Sequence, residues 1–337
     1  MPKALRVLIT GVMGFIGSHL AVRLHKDGET VFGLARKLAP QNKELTKLID
    51  DGKVQIIAGD CAELDTSALP KVDIIYHLAG NVSVWGSQAE FDDINLGCAS
   101  SMLNYAKRVG AKRFVYISTA AVYGYGGYRG LTEDAPKTPF NNPYPISKLR
   151  TEELVQNYCW LNNLEYAIIR PGNVYGAYDY TSYPIYEKIS KSKMPVTDKG
   201  KHLSCFVYVE NLVDAIIKAG THPNAKNTDF NITDGNNETL NDYLSCVAKH
   251  MDTKPKFMSI PAPLAILAAN VVEGAYKLFR IKKAPLITKF TVYQNIRPYN
   301  FSIEKAERLL GFKPLYTMDE GVKKTCEWFR KTNKTEH

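Results

Sequence analysis

Residues 8–20, LITGVMGFIGSHL, set three glycines between two apolar runs. The run at 5–10 (LRVLIT) reads as a buried strand, and 16–26 as a helix whose Ile16, Leu20 and Leu24 share one face. Gly11, Gly14 and Gly17 therefore fill the passage from strand to helix with the spacing G-x-x-G-x-x-G. Glycine there permits a tight turn, lets backbone N–H groups approach a pyrophosphate, and lets the helix pack closely on the strand. Because strand and helix flank the glycines correctly, the pattern points to dinucleotide binding rather than to an incidental turn.

The βα unit then recurs. TVFGLA (30–35), VQIIAG (54–59), VDIIYHLAG (72–80), RFVYIST (113–119) and EYAIIRP (165–171) are short apolar runs, with helical segments between most of them. Strands without polar alternation are buried on both faces, so the expected fold is α/β, a Rossmann-type doubly wound parallel sheet. After residue 171 the regularity gives way to PGNVYGAYDYTSYP, where a smaller, mostly C-terminal substrate-binding lobe would be built. The expected division is a nucleotide-binding domain over 1–171, rejoined by 203–220, a substrate-binding lobe over 172–330, and a polar tail over 331–337.

The acidic residue that would bond a ribose 2′-hydroxyl at the end of the second strand is replaced by Ala35, followed by Arg36 and Lys37. A small residue and two cations leave room and charge for a 2′-phosphate, so NADP(H) is expected rather than NAD(H). Farther on, NPYPISKLRTEE places Tyr144 and Lys148 on one helical face. A phenol titrates near about 10, and a fixed ammonium beside it favours the phenolate. Tyr144 can then exchange a proton with a substrate hydroxyl while a nicotinamide exchanges a hydride.

With the strand RFVYISTAAVYG just before it, this set resembles the extended short-chain dehydrogenase/reductase family, over nearly the whole chain. The resemblance implies a catalytic set of Thr119, Tyr144 and Lys148, with Ser118 as a neighbour and His77 as a structural or cofactor-wall residue. It implies cofactor contacts from Gly11, Gly14, Phe15, Ile16 and Gly17 in the first turn. Arg36, Lys37, Asp60 and Cys61 would hold the adenosine end. Leu78, Ala79 and Gly80 follow the H-x-A turn, and Asn95 begins N-x-x-G. RPGNVYG (170–176) would bring Pro171, Asn173 and Val174 to the cofactor, besides Tyr144 and Lys148. Substrate contacts would come from Val82, Tyr123, Asn173, Tyr175 and Tyr208. A homodimer through the helices over about 96–109 and 145–161 is also implied.

Within that family, nucleotide-sugar enzymes usually place an arginine before a D-F-x-Y-V strand, to bind diphosphate. Here the strand reads HLSCFVYVEN, with Ser204-Cys205 in place of Arg-Asp. Losing that cation forfeits strong charge-assisted bonds. FNITDG, IPAPLAILAANVVEGAYKL, APLITKFTV and YNFSIEKAERLLGFKP instead resemble the 3β-hydroxysteroid dehydrogenase-like branch. That resemblance implies interconversion of a secondary alcohol and a ketone on a hydrophobic substrate, sterol-like or a long-chain keto or hydroxy compound. Two alternatives stand: a nucleotide-sugar epimerase, dehydratase or reductase with tightly bound NAD(P), and a non-catalytic dinucleotide-binding sensor, against which the intact Thr119, Tyr144 and Lys148 speak.

The net charge of +9 is spread along the chain without a basic stripe interleaved with aromatics, so no nucleic-acid partner is expected. The six cysteines lack C-x-x-C spacing and metal-ligand clusters with histidine, so reduced, buried thiols and no metal site are expected. The N-terminus has no signal-peptide pattern, which suggests the cytoplasm. Residues 262–283 hold only one mostly apolar stretch, Leu264 to Val272, before Glu273, Lys277 and Arg280, and it is far too short for a bilayer crossing of about 20 apolar residues. They read either as a core helix or as an amphipathic one resting on membrane, with Lys282 and Lys283 toward anionic headgroups.

Overall fold

The computed structural model describes residues 4–191 and 193–333. In chain order its elements begin with β1 (Arg6–Thr10), α1 (Phe15–Lys26), β2 (Thr30–Ala35), α2 (Lys43–Asp50), β3 (Val54–Ala58), β4 (Ile74–His77), α3 (Gln88–Val109), β5 (Arg113–Ile117), β6 (Tyr128–Leu131) and α4 (Pro143–Leu161). They continue with β7 (Glu165–Pro171), β8 (Asn173–Tyr175), α5 (Tyr183–Ser190), β9 (Lys193–Thr197), β10 (Phe206–Tyr208), α6 (Val209–Thr221), β11 (Thr228–Ile232) and α7 (Leu240–His250). The chain ends with β12 (Lys256–Ile260), α8 (Ala262–Leu278), α9 (Lys289–Tyr293), β13 (Tyr299–Phe301), α10 (Glu304–Leu310) and α11 (Met318–Asn333).

Seven strands form one parallel sheet in the order β11-β7-β5-β4-β1-β2-β3. Side-chain alternation along β1 shows why both faces had to be apolar. Val7 and Ile9 join Leu20 of α1 and Leu212 and Ile216 of α6 in one core. Leu8 joins Met102 and Leu103 of α3 and Val155 of α4 in the other. The strand order reverses between β1 and β4, and a doubly wound sheet opens a crevice at the carboxyl ends of its strands there.

Two expected strands are shorter than their apolar runs by two residues or more. The run at 72–80 stays in the sheet only over Ile74–His77, and that at 113–119 only over Arg113–Ile117. The backbone leaves the ladder because the Leu78 and Ala79 N–H groups donate to Thr10 Oγ1, at 3.1 and 3.0 Å. The released residues floor the crevice. Outside this sheet β8 pairs with β10, β9 with β12 and β6 with β13, and an aromatic cluster includes Tyr123, Tyr125, Phe290, Tyr299 and Phe301. Of the polar tail at 331–337, residues 331–333 continue α11, and 334–337 lie outside the described residues.

The cysteines require a correction. Cys61, after β3, and Cys98, on α3, form a disulfide with Cα atoms 4.9 Å apart, whereas Cys159, Cys205, Cys246 and Cys326 are free. A separation of 37 residues carries no local signal, and the fold alone brings the pair together. The metal expectation also overlooked a cluster. Cys246 and His250, one turn apart on α7, meet Asp319 of α11. Lys249 already holds that carboxylate at 2.7 Å, and with His250 it keeps Asp319 down at about 2, so the group acts as a clamp between the two helices.

Candidate active site

At the crevice, the turn from β1 into α1 is built by exclusion of side chains. Gly11 has φ +71°, and a Cβ on it would meet the Ala79 nitrogen at 3.0 Å. One on Gly17 would collide with the Gly11 carbonyl oxygen. Helices α2, α3, α4, α7 and α9 are capped by the side chains of Asn42, Ser87, Asn142, Thr239 and Thr288. Gly14, at the start of α1, offers no such cap, nor do the residues before α5, α6, α8 and α10. The first-turn N–H groups of α1 thus face a cleft of about 1090 Å³ lined by Gly11, Gly14, Phe15, Ile16 and Gly17. An uncapped helix start inside a side-chain-free cradle suits a pyrophosphate, so these residues fit a dinucleotide.

One end of the cleft carries Arg36, Lys37, Asp60 and Cys61. The Arg36 guanidinium lies 3.7 Å from the Asp60 carboxylate with most of its side chain exposed. Leu78, Ala79 and Gly80 form the opposite wall, and Tyr144, Lys148, Pro171 and Val174 close the other end. His77 is fully buried behind that wall, where Nδ1 shares a 2.9 Å hydrogen bond with Thr10 Oγ1. Burial, and then the Lys148 charge, push it down to about 3, so it is a neutral structural residue.

Thr119 ends the chain segment leaving β5, and Tyr144 and Lys148 sit one turn apart at the start of α4. Pro143 opens that helix and the Asn142 side chain accepts from the Tyr144 N–H at 3.0 Å, which fixes where the helix begins. Lys148 is buried, donating from Nζ to the Ile117 carbonyl at 2.8 Å, with its ammonium 5.0 Å from the Tyr116 ring centre. Burial lowers it to about 8 against the opposing effect of Glu152. The Tyr144 phenol is raised above its ordinary value by burial, while the Thr119 hydroxyl pulls the other way.

A second cavity, of about 500 Å³, shares Thr119, Tyr144, Pro171, Gly172 and Val174 with the cleft. Reacting groups placed at Thr119 and Tyr144 can therefore be reached from both. Among the described residues that line this cavity, none is Asp, Glu, Lys, Arg or His. Among its polar groups, Asn173 accepts from Gln294 Nε2 at 2.5 Å and donates to Ser204 Oγ at 3.1 Å.

The expected substrate residues divide between the two cavities and the protein interior. Asn173 and Tyr175 line the substrate cavity, and Asn173 is not part of the cofactor cleft. Val82 borders the cofactor cleft instead of the substrate cavity, with 60% of its surface exposed. Tyr123 lines neither: its hydroxyl accepts from Arg170 at 2.7 Å and donates to Asn231 at 3.0 Å, because it completes the buried Arg170–Glu152 pair. Tyr208 is also buried outside the cavity, donating to Glu210 at 3.2 Å. Asn95 stands behind the cleft wall, accepting from the Asn81 N–H at 2.6 Å and donating to Ser147 at 2.8 Å. Sequence reasoning missed Tyr125, Met194, Val196, Tyr243, Phe290 and Gln294 in the substrate cavity. They come from separate segments with no shared spacing.

Comparison with known proteins agrees with this geometry. The family model described as the NAD dependent epimerase/dehydratase family matches residues 7–233. A 3 beta-hydroxysteroid dehydrogenase/Delta 5-->4-isomerase of Mycobacterium tuberculosis is 28% identical, across 96% of this chain and 90% of the relative. A dTDP-D-glucose 4,6-dehydratase of Mus musculus is also 28% identical, across 97% and 89%. A solved UDP-glucose 4-epimerase of Thermotoga maritima, with UDP-glucose, superposes with a TM-score of 0.79 at 22% identity, covering 98% of this chain and all of that one.

Proposed function

The chain belongs to the NAD dependent epimerase/dehydratase family, and from that premise we propose that it interconverts a secondary alcohol and a ketone on an apolar substrate, sterol-like or a long-chain keto or hydroxy compound, with NADP(H). The uncharged lining of the 500 Å³ cavity carries the substrate class. A nucleotide sugar brings a diphosphate, and enclosing it without a cation forfeits the charge-assisted bonds that offset its desolvation. Ser204, standing where an arginine would serve a diphosphate, is buried and engaged with Asn173.

A bound nicotinamide supplies or takes up the hydride. Thr119 donates a hydrogen bond to the substrate oxygen. Tyr144 gives its phenolic proton to the carbonyl oxygen as the ketone becomes an alcohol, and takes it back in the reverse direction. Lys148, charged below about pH 8, holds the ribose hydroxyls and stabilises the phenolate left behind. Arg36 supports the preference for a 2′-phosphate, since it is free enough to exchange the Asp60 carboxylate for it. A homodimer through α3 and α4 is supported by Trp160 and Leu161, 82% and 72% exposed at the end of α4.

The test follows NADPH absorbance with purified protein and, separately, long-chain β-keto acids, a 3-ketosteroid, and UDP- and dTDP-sugars, with Tyr144→Phe as control. NADPH oxidation with the apolar ketones alone, lost in the variant, is the expected result. A nucleotide sugar converted without net loss of NADPH would replace this reading with an epimerase or dehydratase. Cofactor binding without turnover of either class would leave a dinucleotide-binding sensor.

A further inference from the structure

Helix α8 turns all three of its leucines outward. The residues it buries are Ala265, Ala269 and Glu273. Ile266 packs beside them, but Leu264, Leu267, Val271 and Leu278 form one stripe on the outer face, each more than half exposed. The chain continues this stripe with Phe279, Ile281 and Leu286. A helix selected only for its own core would turn the leucines inward and the glutamate outward.

The charge is arranged with the same bias. Residues 274–288 contain Lys277, Arg280, Lys282 and Lys283 and no Asp or Glu. The nearest acid of the helix, Glu273, is turned inward, where its carboxylate accepts from the Lys289 N–H at 2.6 Å. The segment after the helix is also held in place: Trp85 Nε1 donates to the Ile281 carbonyl at 2.9 Å, and the Trp85 and Tyr276 rings meet edge to face at 6.1 Å. No helix among the described residues is long and apolar enough to cross a membrane.

We propose that α8 and residues 279–286 rest in the plane of an anionic lipid surface, with the apolar stripe in the acyl boundary and the four cations among the headgroups. Self-association through this face is disfavoured, since a two-fold contact would set the same cations against one another, with only Lys282 near an acid, Glu90. The proposal rests in part on the apolar-substrate reading, because the elements next to α8 line the substrate cavity. Strand β12, which leads into α8, pairs with β9, and β9 contributes Met194, Pro195, Val196 and Thr197 to the cavity. Helix α9, packed on α8, contributes Phe290. A lipid-dissolved substrate would then enter without crossing bulk water.

The experiment is flotation of the full chain with vesicles of phosphatidylcholine alone or with phosphatidylglycerol, at low and high salt. Leu267→Glu/Val271→Glu and Lys282→Glu/Lys283→Glu are the test variants, and light scattering is measured alongside. The wild type is expected to float with the anionic vesicles, less so at high salt, and each double variant to lose at least about tenfold of that binding with unchanged NADPH affinity. Absence of wild-type flotation, flotation equal in the variants, or a dimer dissolved by Leu267→Glu/Val271→Glu without any flotation would each overturn the proposal. Flotation needs no turnover, so a failed substrate assay leaves it standing, and an active ketone reductase that does not float overturns the membrane face alone.

Discussion

The Lys148 ammonium donates to the Ile117 carbonyl at 2.8 Å, at the end of the strand that leads to Thr119. One buried cation thereby ties the first turn of α4, with Tyr144, to the edge of the sheet. Burial lowers its titration to about 8. In the ketone-reducing direction kcat/KM is expected to fall as pH rises above about 8, and Lys148→Arg should move that fall upward, read from a pH–rate profile.

The same group is expected to oppose stability. A lysine whose folded pKa lies below its unfolded value disfavours folding wherever it must be charged, which is fully so below about pH 8 and progressively less toward its ordinary range. Lys148→Met should therefore abolish turnover yet stabilise the chain at pH 7, by about 1–3 kcal/mol after the lost hydrogen bond is counted. Urea unfolding at pH 7 and pH 10 checks this, with the gain shrinking at the higher pH.

Arg36 stands 3.7 Å from Asp60 at the open end of the cofactor cleft. Arg36→Ala should weaken NADPH binding by roughly tenfold, the worth of a charge-assisted hydrogen bond to phosphate, and leave NADH binding nearly unchanged. Titration of cofactor fluorescence separates the two. An unchanged NADPH/NADH ratio would remove the NADP preference.

Arg170 is completely buried and holds Glu152 with two hydrogen bonds, 2.9 and 2.7 Å, and Asp229 at 2.7 Å. Removing one carboxylate leaves a buried guanidinium short of a partner. Glu152→Ala is expected to destabilise the chain by about 3–5 kcal/mol, measured by chemical denaturation.

The Cys61–Cys98 bond closes a loop over 37 residues, and chain-entropy arguments assign such a crosslink about 3–4 kcal/mol. Both residues line the cofactor cleft. Reductant should lower the melting temperature of the wild type and leave Cys98→Ser unaffected. A melting temperature indifferent to reductant would show that the two sulfurs are not joined in solution.

What was legible in the sequence is what a single element encodes by spacing. The glycines of the first turn and the Tyr144–Lys148 pair each lie within one turn or helix, so their mutual geometry follows from the backbone alone. Tyr123 and Tyr208 look equivalent to Tyr175 in sequence, yet their burial is decided by distant partners: Arg170 and Asn231 for the one, and the Asp234 carboxylate, which accepts the Tyr208 N–H at 3.0 Å, for the other. The disulfide and the cavity lining from Met194, Tyr243 and Phe290 are likewise products of tertiary assembly. On α8 the apolar residues were visible, but not which of them face outward.

The sheet edge beside β7 is supplied by β11, whose residues 228–232 are synthesised well after those of β7. A nascent chain that ends shortly after β7 has that strand as a bare edge, and its Arg170 still lacks the Asp229 that will help neutralise it. Completion of the sheet is thus postponed until about two-thirds of the polypeptide has left the ribosome, and during that interval the exposed edge is open to pairing with other chains.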